Sequence, residues 1–360
     1  MGSPGQGNVW SGEEHNRIGG CVMTRITAVV LTYNRKELLQ RCLDAIQAQT
    51  RPCDDLLVIN NASTDGTREM LESERFSSIK IYSLKKNIGA AGGFNTGFRM
   101  AYDNGADQIW MMDDDVIPEP DALEKLLDAN ALLDEKGVGR SYLVSLAYSN
   151  SGRLTNLSQL ADRHPSSWPT YLEHGLVAVG FSTFVSILVP RDTLEKYGLP
   201  ISSMFIWGED AEFTLRVTRE EPGYLVGSSK VAHVRAMEVG IDILAETNPA
   251  RINYYRCYVR NNIFLARKYK TRRRLLSVLA VNVSLVMKLL VKGEFRKANI
   301  VLDGMVESIR FRPVVELVSS GYDYSNIEIT APKSGVWTED ANKLDINRSG
   351  MAYQGTRHLS

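Results

Sequence analysis

The sequence is poor in cysteine and carries no excess charge of either sign. Its four cysteines form no CxxC pair and no spacing typical of a zinc site, which predicts reduced thiols in a cytosolic protein. The 42 basic residues balance the 42 acidic ones, so the chain has no global field that would attract nucleic acid. With 44% hydrophobic and 23% charged residues, the composition also argues against a disordered or polytopic membrane protein. We therefore expect a globular protein with a sizeable core.

Long apolar runs are scarce as well. Residues 1–24 contain no apolar segment of the length that a signal peptide needs, and we interpret them as a flexible leader, part of it introduced by cloning. The run 275–291 is too short and too polar for a good transmembrane helix. Because Arg272, Arg273 and Arg274 precede it, two alternatives stay open: an interfacial membrane helix, or a helix packed on the main domain.

Strand and helix patterns alternate through the first third of the chain. The apolar run 26–31 predicts a buried parallel strand, residues 36–49 repeat apolar side chains at helical spacing, and 56–59 return to strand character. The alternation continues as a helix at 67–73, a strand at 79–82, a helix at 91–104 and a strand at 108–112. This order predicts an α/β fold: an open, mostly parallel sheet flanked by helices, with a ligand site beyond the carboxyl ends of its strands.

The pattern is less regular further on. It predicts a helix at 121–134, strands at 143–147 and 177–189, a helix at 209–220 and a strand at 230–234. We therefore predict an α/β domain over residues 25–250, a C-terminal helical region over 251–314, and a polar tail over 315–360 to which the pattern assigns no structure.

Three consecutive aspartates follow the strand at 108–112. On an extended chain Asp113 and Asp115 project to one side and Asp114 to the other, so the first and third can converge on a hard cation such as Mg²⁺ or Mn²⁺. Alternatively, Asp113 binds a ribose hydroxyl. Asp114 has either a structural role or a contact with the donor sugar. An acidic triplet is also common in solvated loops, but its place directly after a buried strand favours a metal site.

Two further segments carry residues suited to a site. Glycines in 86–97 bring backbone amides to the start of a helix, where they either approach an anion or permit close helix packing. Asp210 stands at a predicted helix start and is our candidate general base, with Trp207 as a wall for a sugar ring. His233 lies on a strand, where it is either a hydrogen-bonded core residue or a ligand.

Together these segments resemble the family-2 glycosyltransferases of the GT-A fold. The resemblance covers residues 26–265 and rests on an ordered set of motifs: VVLTYNR (29–35), VINNASTDGT (58–67), KNIGAAGGFNTGF (86–98), WMMDDDVIP (110–118) and FIWGEDAEFTLR (205–216). The third and fourth motifs are similar to a branch of galactofuranosyltransferases and rhamnosyltransferases that build bacterial cell-surface glycans. The resemblance implies a GT-A catalytic domain at 25–250 and an inverting mechanism.

The resemblance also implies roles for individual residues. Thr32, Tyr33 and Arg35 match a loop that contacts the nucleotide, and Asn60 matches the position that reads the base, where the family commonly has Asp. The remaining roles fall on Asn87, Gly92 and Gly93 for the nucleotide-sugar, Asp113 for ribose and metal, Asp115 and His233 for metal, and Asp210 for the base.

These roles imply ligands and leave alternatives. We expect Mn²⁺ or Mg²⁺, a nucleotide-sugar donor and a glycan or lipid-linked acceptor, with no nucleic acid, in the cytoplasm or peripherally at the inner face of the cell membrane. UDP-galactofuranose is the favoured donor and dTDP-rhamnose the alternative. More distant alternatives are a nucleotidyltransferase, which needs a basic clamp for a triphosphate, and an inactive carbohydrate-binding protein.

Overall fold

A computed structural model describes residues 24–161, 168–234 and 241–330. The predicted leader and the last thirty residues of the predicted tail, 331–360, therefore lie outside the described residues, apart from residue 24.

The described residues form one mixed sheet with helices on both faces. The strands are β1 (Ile26–Thr32), β2 (Asp55–Asn60), β3 (Lys80–Leu84), β4 (Gln108–Asp113), β5 (Val116–Pro118), β6 (Tyr142–Tyr148), β7 (Leu154–Thr155), β8 (Gln159–Leu160), β9 (Leu176–Phe181), β10 (Ile187–Pro190), β11 (Gly223–His233) and β12 (Ile327–Thr330). The helices are α1 (Lys36–Gln47), α2 (Thr67–Leu71), α3 (Gly89–Asp103), α4 (Ala122–Glu135), α5 (Arg191–Tyr197), α6 (Glu209–Val217), α7 (Pro249–Tyr269), α8 (Arg272–Val291) and α9 (Phe295–Arg310). Short 3₁₀ turns occupy Glu74–Phe76, Leu172–His174, Ser202–Met204 and Tyr324–Asn326.

The strand order explains where a site forms. Across the sheet the order is β12-β3-β2-β1-β4-β10-β6-β11-β9-β8, and β3, β2, β1 and β4 are parallel neighbours. The chain proceeds from β1 toward β3 and then returns to place β4 on the other side of β1. The carboxyl ends of β1 and β4 therefore flank a switch point, where open α/β sheets bind ligands.

The second half of the sheet is mixed. Strand β10 runs antiparallel between β4 and β6, while β11 is parallel to β6. The predicted single strand 177–189 is wrong: residues 182–186 separate β9 from β10, and these two strands occupy different places in the sheet. Strand β11 also begins earlier than predicted, and its register with β6 shifts between Val226 and Lys230.

Two apolar layers hold the helices against the sheet. Helices α1 and α4 bury Leu39, Leu43 and Leu126 on one face, whereas α3 and α6 bury Phe98 and Phe213 on the other. Burying each such side chain stabilises the fold by about 1.5–3 kcal/mol. These layers fix the strand ends that carry the polar loops.

The C-terminal helices form a further layer with a core of its own. Residues of α7, α8 and α9 pack together, and Phe264 and Leu265 of α7 join a separate cluster with Met204 of the main domain. The chain then returns to the sheet, where buried Arg99 donates hydrogen bonds to the carbonyls of Leu317 and Val318, and β12 pairs antiparallel with β3. The part of the predicted tail at 327–330 is thus an edge strand of the main sheet.

Candidate active site

The acidic triplet lies in the turn that joins β4 to β5. Only Asp113 belongs to β4, because the turn begins at Asp114 and β5 begins at Val116. Strand alternation therefore does not apply beyond Asp113, and that step of the sequence argument is wrong. The three carboxylates instead have three separate surroundings.

Asp114 is held inside the protein by the loop after β1. Its carboxylate accepts hydrogen bonds from the Thr32 hydroxyl at 2.8 Å and the Tyr33 amide at 3.4 Å, and Arg35 Nη1 lies at 3.2 Å. Burial raises the pKa of Asp114 to about 6, although Arg35 and Thr32 oppose this rise. The structural role is the alternative that this geometry favours for Asp114. Thr32 is itself buried and its hydroxyl is engaged by Asp114, and a nucleotide contact by this residue stays a prediction.

Asp115 connects the loop after β1 with strand β11, because it contacts Arg35 and His233. Its Oδ2 lies 2.6 Å from Nη1 of Arg35, and its Oδ1 lies 3.2 Å from Nε2 of His233. His233 reaches this place because β11 pairs antiparallel with β5 and sets His233 opposite Val116. Burial alone would raise the pKa of Asp115, but His233 and Arg35 lower it below its ordinary value. Asp115 is therefore an ionised carboxylate beside an imidazole.

The histidine tautomer makes this pair a fit for a cation. Nδ1 of His233 lies 2.8 Å from Oδ1 of Asn156, which only accepts hydrogen bonds, so the Nδ1 proton is donated to it. Nε2 of His233 faces Oδ1 of Asp115 at 3.2 Å, and this contact is one of the causes that lower the pKa of Asp115. A divalent cation between these two atoms would take the place of the proton, and the Asn156 amide oxygen that accepts from Nδ1 would orient the imidazole as a ligand.

Asp113 has the freest carboxylate of the three. It is half-buried, and no described residue donates a hydrogen bond to its carboxylate oxygens. Burial, together with the charges of Asp115 and Asp114, raises its pKa well above the ordinary value. A bound cation would reverse this unfavourable crowding of negative charge.

The described residues do not enclose a metal ion by themselves. Within the described ranges, no group of three or more His, Cys, Asp or Glu side chains is arranged to hold one. Mg²⁺ and Mn²⁺ commonly use one or two carboxylates plus water and substrate phosphates. The residues present therefore fit a cation that shares its coordination with a bound diphosphate.

Asp210 begins helix α6 on the opposite side of this edge. It is half-buried, and it is close enough to Asp113 to contribute to the raised pKa of that carboxyl. Its neighbour Glu209 is only 5% exposed, and Oε2 of Glu209 has no hydrogen-bond partner among the described residues. Burial first, and the charge of Asp210 second, raise the pKa of Glu209 well above its ordinary value. Glu209 is therefore a buried carboxyl with a raised pKa beside the candidate base, and sequence reasoning missed it.

The loop before Asp210 is held in a strained conformation by helix α7. Phe205 and Trp207 have φ values of 66° and 62°, which are unfavourable for bulky side chains. Buried Asn261 places its side-chain nitrogen 3.0 Å from the Met204 carbonyl, 3.1 Å from that of Ile206 and 2.9 Å from that of Trp207. One side chain of the C-terminal helical region thus fixes the loop that leads into Asp210.

Trp207 is less available than a free sugar-binding wall would be. Its ring contacts Tyr254, Tyr255 and Tyr258 edge-on, and the guanidinium of Arg251 lies 5.5 Å from the ring centroid. The side chain is half-buried and belongs largely to the packing of α7. A donor-sugar contact by Trp207 stays a prediction.

Two predicted nucleotide contacts are engaged within their own loops. Asn60 is buried, and its Oδ1 accepts the Ser63 amide at 3.0 Å, while Oδ1 of Asn87 accepts the Gly89 amide at 2.7 Å. Base reading by Asn60 and donor contact by Asn87 stay predictions. The loop after β1 does reach solvent through Tyr33 and Arg35. Tyr33 is 42% exposed, and the side chain of Arg35 is 44% exposed.

The glycine-rich segment serves helix packing. Gly92 and Gly93 lie buried inside α3, where a Cβ on Gly93 would stand 2.3 Å from the Leu31 side chain and one on Gly92 2.8 Å from Ile88. The Ala91 amide donates to the Phe205 carbonyl, and the Gly89 amide is used by Asn87. Close packing therefore requires both glycines: Gly93 lies against strand β1 and Gly92 against Ile88 at the start of the helix. A contact of Gly92 and Gly93 with the nucleotide-sugar stays a prediction.

Several supporting residues gave no recognisable signal in the sequence. Asn156 follows the short strand β7, and its approach to His233 depends on the β6–β7 pairing. Asn61 accepts the Ile88 amide and donates to the Gly89 carbonyl, which ties the loop after β2 to α3. For Glu209, the available signal was its place beside Asp210 in an acidic helix start.

Comparison with known proteins shows similarity over part of the chain. Residues 27–159, which contain β1 to β7 and the acidic triplet, match the model of glycosyl transferase family 2. Galactofuranosyltransferase GlfT1 of Mycolicibacterium smegmatis is 31% identical over 218 residues, a match that covers 54% of this chain and 65% of that protein. Glycosyltransferase AglE of Haloferax volcanii is 27% identical over 203 residues, covering 55% of this chain and 62% of that protein. The chain thus spans less than two thirds of the length of these relatives.

A solved structure, described as GalNAc-T7 with UDP, GalNAc and Mn²⁺, overlaps 71% of this chain and 54% of its own with a TM-score of 0.48 and 14% sequence identity. The α/β sheet flanked by helices, the C-terminal helices and the family match agree with the fold expected from the sequence. Residues 27–159 therefore match glycosyl transferase family 2, and the sheet that contains them has the architecture expected for the GT-A fold.

Proposed function

We propose that the protein is an inverting, metal-dependent glycosyltransferase that transfers galactofuranose from UDP-galactofuranose to a hydroxyl group of a glycan or lipid-linked acceptor. The observation that carries the proposal is the approach of Oδ1 of Asp115 to Nε2 of His233, 3.2 Å apart at the switch point of the sheet. Half-buried Asp113 precedes Asp115 by two residues, and the charge of Asp210 is close enough to help raise the pKa of Asp113, which supports a cation position and a base within one site.

Asp115 and His233 would hold the cation, with Asp113 as a third ligand or as the partner of the ribose. A divalent cation in this position supplies positive charge that neutralises the diphosphate of the donor. Mn²⁺ and Mg²⁺ both accept such mixed oxygen and nitrogen ligands, with Mn²⁺ better suited to the imidazole.

Arg35 has two tasks in this proposal. In the free protein its guanidinium pairs with Asp114 and Asp115, and nearly half of its side chain faces solvent. Planar guanidinium groups also bind phosphate oxygens in a bidentate manner. We expect Arg35 and the exposed Tyr33 to contact the diphosphate and the nucleotide, while Asp114 keeps the loop in place.

Asp210 acts as the general base. Its carboxylate takes the proton of the acceptor hydroxyl as that oxygen forms a bond to the anomeric carbon. The bond from the anomeric carbon to the diphosphate oxygen breaks at the same time, UDP leaves with the electron pair, and the configuration at the anomeric carbon inverts. The raised pKa of Glu209 disfavours a second negative charge beside the base.

The choice of donor is supported by the relatives, of which the GlfT1 proteins are named galactofuranosyltransferases. A lipid-linked acceptor agrees with the apolar, basic character of the C-terminal helices, and it sets the reaction at the cytoplasmic face of a membrane. The acceptor sugar and the linkage are left to experiment.

A screen of donors against metals tests the proposal. Purified protein would receive UDP-galactofuranose, UDP-galactopyranose or dTDP-rhamnose with a lipid-linked oligosaccharide mixture, in Mn²⁺, Mg²⁺ or EDTA, and products would be read by mass. We expect a product with one added hexose mass only from UDP-galactofuranose and only with a divalent cation. Transfer from dTDP-rhamnose would replace the donor, and equal transfer in EDTA would refute the metal requirement.

A further inference from the structure

The hairpin of helices α8 and α9 exposes apolar side chains that no other described residue covers. On α8 one stripe follows a spacing of four and three residues along a single helix face: Leu276, Ala280, Val283, Met287 and Leu290. On α9 a second exposed stripe consists of Phe295, Leu302, Val306 and Ile309. Soluble proteins rarely expose contiguous apolar surface of this extent without a partner.

Helix α8 is attached to the protein by its other face. Val286 and Leu289 are buried against Tyr255 and Val259 of α7 and against Val301 of α9. Packing therefore already explains the inner stripe of α8. The outer stripe has no such explanation, because side chains such as Leu276, which is 66% exposed, contribute nothing to the core.

Positive charge surrounds the outer stripe. Arg272, Arg273 and Arg274 are exposed at the start of α8 and form no ion pair with a described residue, and Lys288 and Lys292 are exposed at its other end. Helix α8 contains no acidic residue. Arginines in the first turn oppose the helix dipole, so this cluster does not serve the stability of the helix.

The same helix does not span a membrane in this fold. Among the described residues, α8 is the only helix long and apolar enough to cross a bilayer. A spanning α8 would separate α7 from α9 by the thickness of the bilayer, but α7 and α9 share one buried core. An orientation along the membrane surface keeps this core intact and buries the outer stripe.

A second copy of the chain fits this surface less well. An antiparallel pair of α8 helices would bring Arg272–Arg274 next to Lys288 and Lys292 of the other copy. A parallel pair would bring the arginine clusters together. Like charges would face each other in both arrangements, whereas an anionic lipid surface complements all of them.

We propose that the outer face of the α8–α9 hairpin is an interfacial docking surface for a bilayer rich in anionic phospholipid. The apolar stripes enter the region between headgroups and acyl chains, and the basic ends of α8 contact the lipid phosphates. This inference gives the proposed lipid-linked transfer a physical place, but lipid binding requires neither donor nor turnover. The two proposals can therefore fail separately.

Vesicle sedimentation with the full chain tests this inference. The vesicles would contain phosphatidylcholine with or without phosphatidylglycerol. We expect binding to the anionic vesicles that weakens as salt is added. Replacing Arg272, Arg273 and Arg274 together by Gln should weaken binding on the order of 100-fold, from about 1 kcal/mol for each charge. A matched triple variant, R41Q with K136Q and R153Q, removes three exposed charges from the main domain and should bind as the wild type does.

The apolar contribution has its own pair of variants. Val283→Asp places a charge in the outer stripe, and Leu157→Asp does so at a similarly exposed position between β7 and β8. Only the first should lose vesicle binding, with both proteins folded by circular dichroism. Equal binding of wild type and the arginine variant, or no binding of the wild type to anionic vesicles, would overturn the proposal. Self-association abolished by Val283→Asp without a change in vesicle binding would assign the surface to a second copy.

Discussion

The edge of the sheet that carries the candidate site buries polar side chains, whereas the α8–α9 hairpin exposes apolar ones. At the edge, Asp114, Asp115, Glu209 and His233 are buried although they are polar or charged. On the hairpin, apolar side chains such as Val291, which is 85% exposed, lie in water. Each arrangement raises the free energy of the free protein, and each is relieved by a partner of complementary chemistry.

The difference teaches which partner belongs to which region. The carboxylates of Asp113, Asp114 and Asp115 lie close together, and Asp115 lies beside His233. A positive charge would stabilise this group, which is the basis for proposing a cation with a bound diphosphate there. Apolar stripes between basic ends suit the surface of an anionic membrane. Helix α7 joins the two regions, because Asn261 holds the loop before Asp210 while Tyr255 and Val259 pack against α8.

The largest expected effect comes from removing the base. Asp210→Asn keeps the size of the side chain but removes its ability to accept a proton, so kcat should fall by a factor of about 10²–10⁴. UDP affinity and vesicle binding should stay as in the wild type. Rapid-quench assays would measure turnover, and titration calorimetry would measure UDP affinity. Near-normal turnover would show that Asp210 is not the base.

The next effect tests the orientation of His233. Asn156→Gly keeps the left-handed backbone, where φ is 50°, but removes the acceptor of the Nδ1 proton. We expect Mn²⁺ affinity in the presence of UDP to fall by about 10–100-fold, as is usual when the partner of a ligating histidine is lost. Asn156→Asp retains an acceptor and serves as the matched control. Equal Mn²⁺ affinity in both variants would separate His233 from the cation.

A smaller effect is expected at the joint between the two regions. Asn261→Ala removes the side-chain donor shared by the carbonyls of Met204, Ile206 and Trp207, which should lower the free energy of unfolding by about 1–3 kcal/mol, although the Met204 carbonyl keeps the donors of Arg260 and Ile206. Its half-buried neighbour gives the control Asn262→Ala, for which we expect no comparable loss. Turnover should fall in the first variant with Mn²⁺ affinity unchanged, as measured by urea unfolding and steady-state kinetics. A simultaneous loss of Mn²⁺ affinity would argue for general damage.

The smallest effect concerns the buried carboxyl of Glu209. A carboxyl group whose pKa is raised on folding contributes stability that is present at low pH and is lost as the pH rises through the folded pKa. Wild-type protein in EDTA should therefore lose stability as the pH rises above the ordinary pKa of a glutamate, by up to about 1.4 kcal/mol per pH unit from this group. Glu209→Gln removes that contribution, and urea unfolding across the pH range should show a shallower slope. Identical slopes would mean that Glu209 is ionised in the folded protein.

The sequence predicted the parts of the fold that depend on local pattern. The strand at 26–31 and the helix at 36–49 have strong periodicity, and β1 and α1 formed there. Strands β9 and β10 were merged because their apolar residues are nearly continuous, and only pairing partners far along the chain separate them. The edge strand β12 depends on contacts distant in sequence: Arg99 donates to the Val318 carbonyl, and β12 pairs with β3. No local pattern in the sequence reveals these contacts.

The candidate site was predictable to a similar degree. Strand order predicts that the acidic triplet follows a strand at the carboxyl edge of the sheet, and β4 does end there. The approach of Asp210 to Asp113 depends on where α6 begins in space, which no local pattern reveals. The separate surroundings of Asp113, Asp114 and Asp115 arise from a turn, and the pairing of His233 with Asn156 arises from a hairpin distant in sequence. Gly92 and Gly93 are ambiguous in the sequence because an amide-exposing turn and a packed helix both require glycine.

The most direct test of the central claim is the binding of UDP with and without Mn²⁺ to wild-type protein and to a His233→Ala variant. If Asp115 and His233 share a cation with the diphosphate, calorimetry will show UDP binding to the wild type that requires Mn²⁺ and that the variant largely loses. UDP binding of equal strength in EDTA, or Mn²⁺-dependent binding that the variant retains in full, would contradict the account.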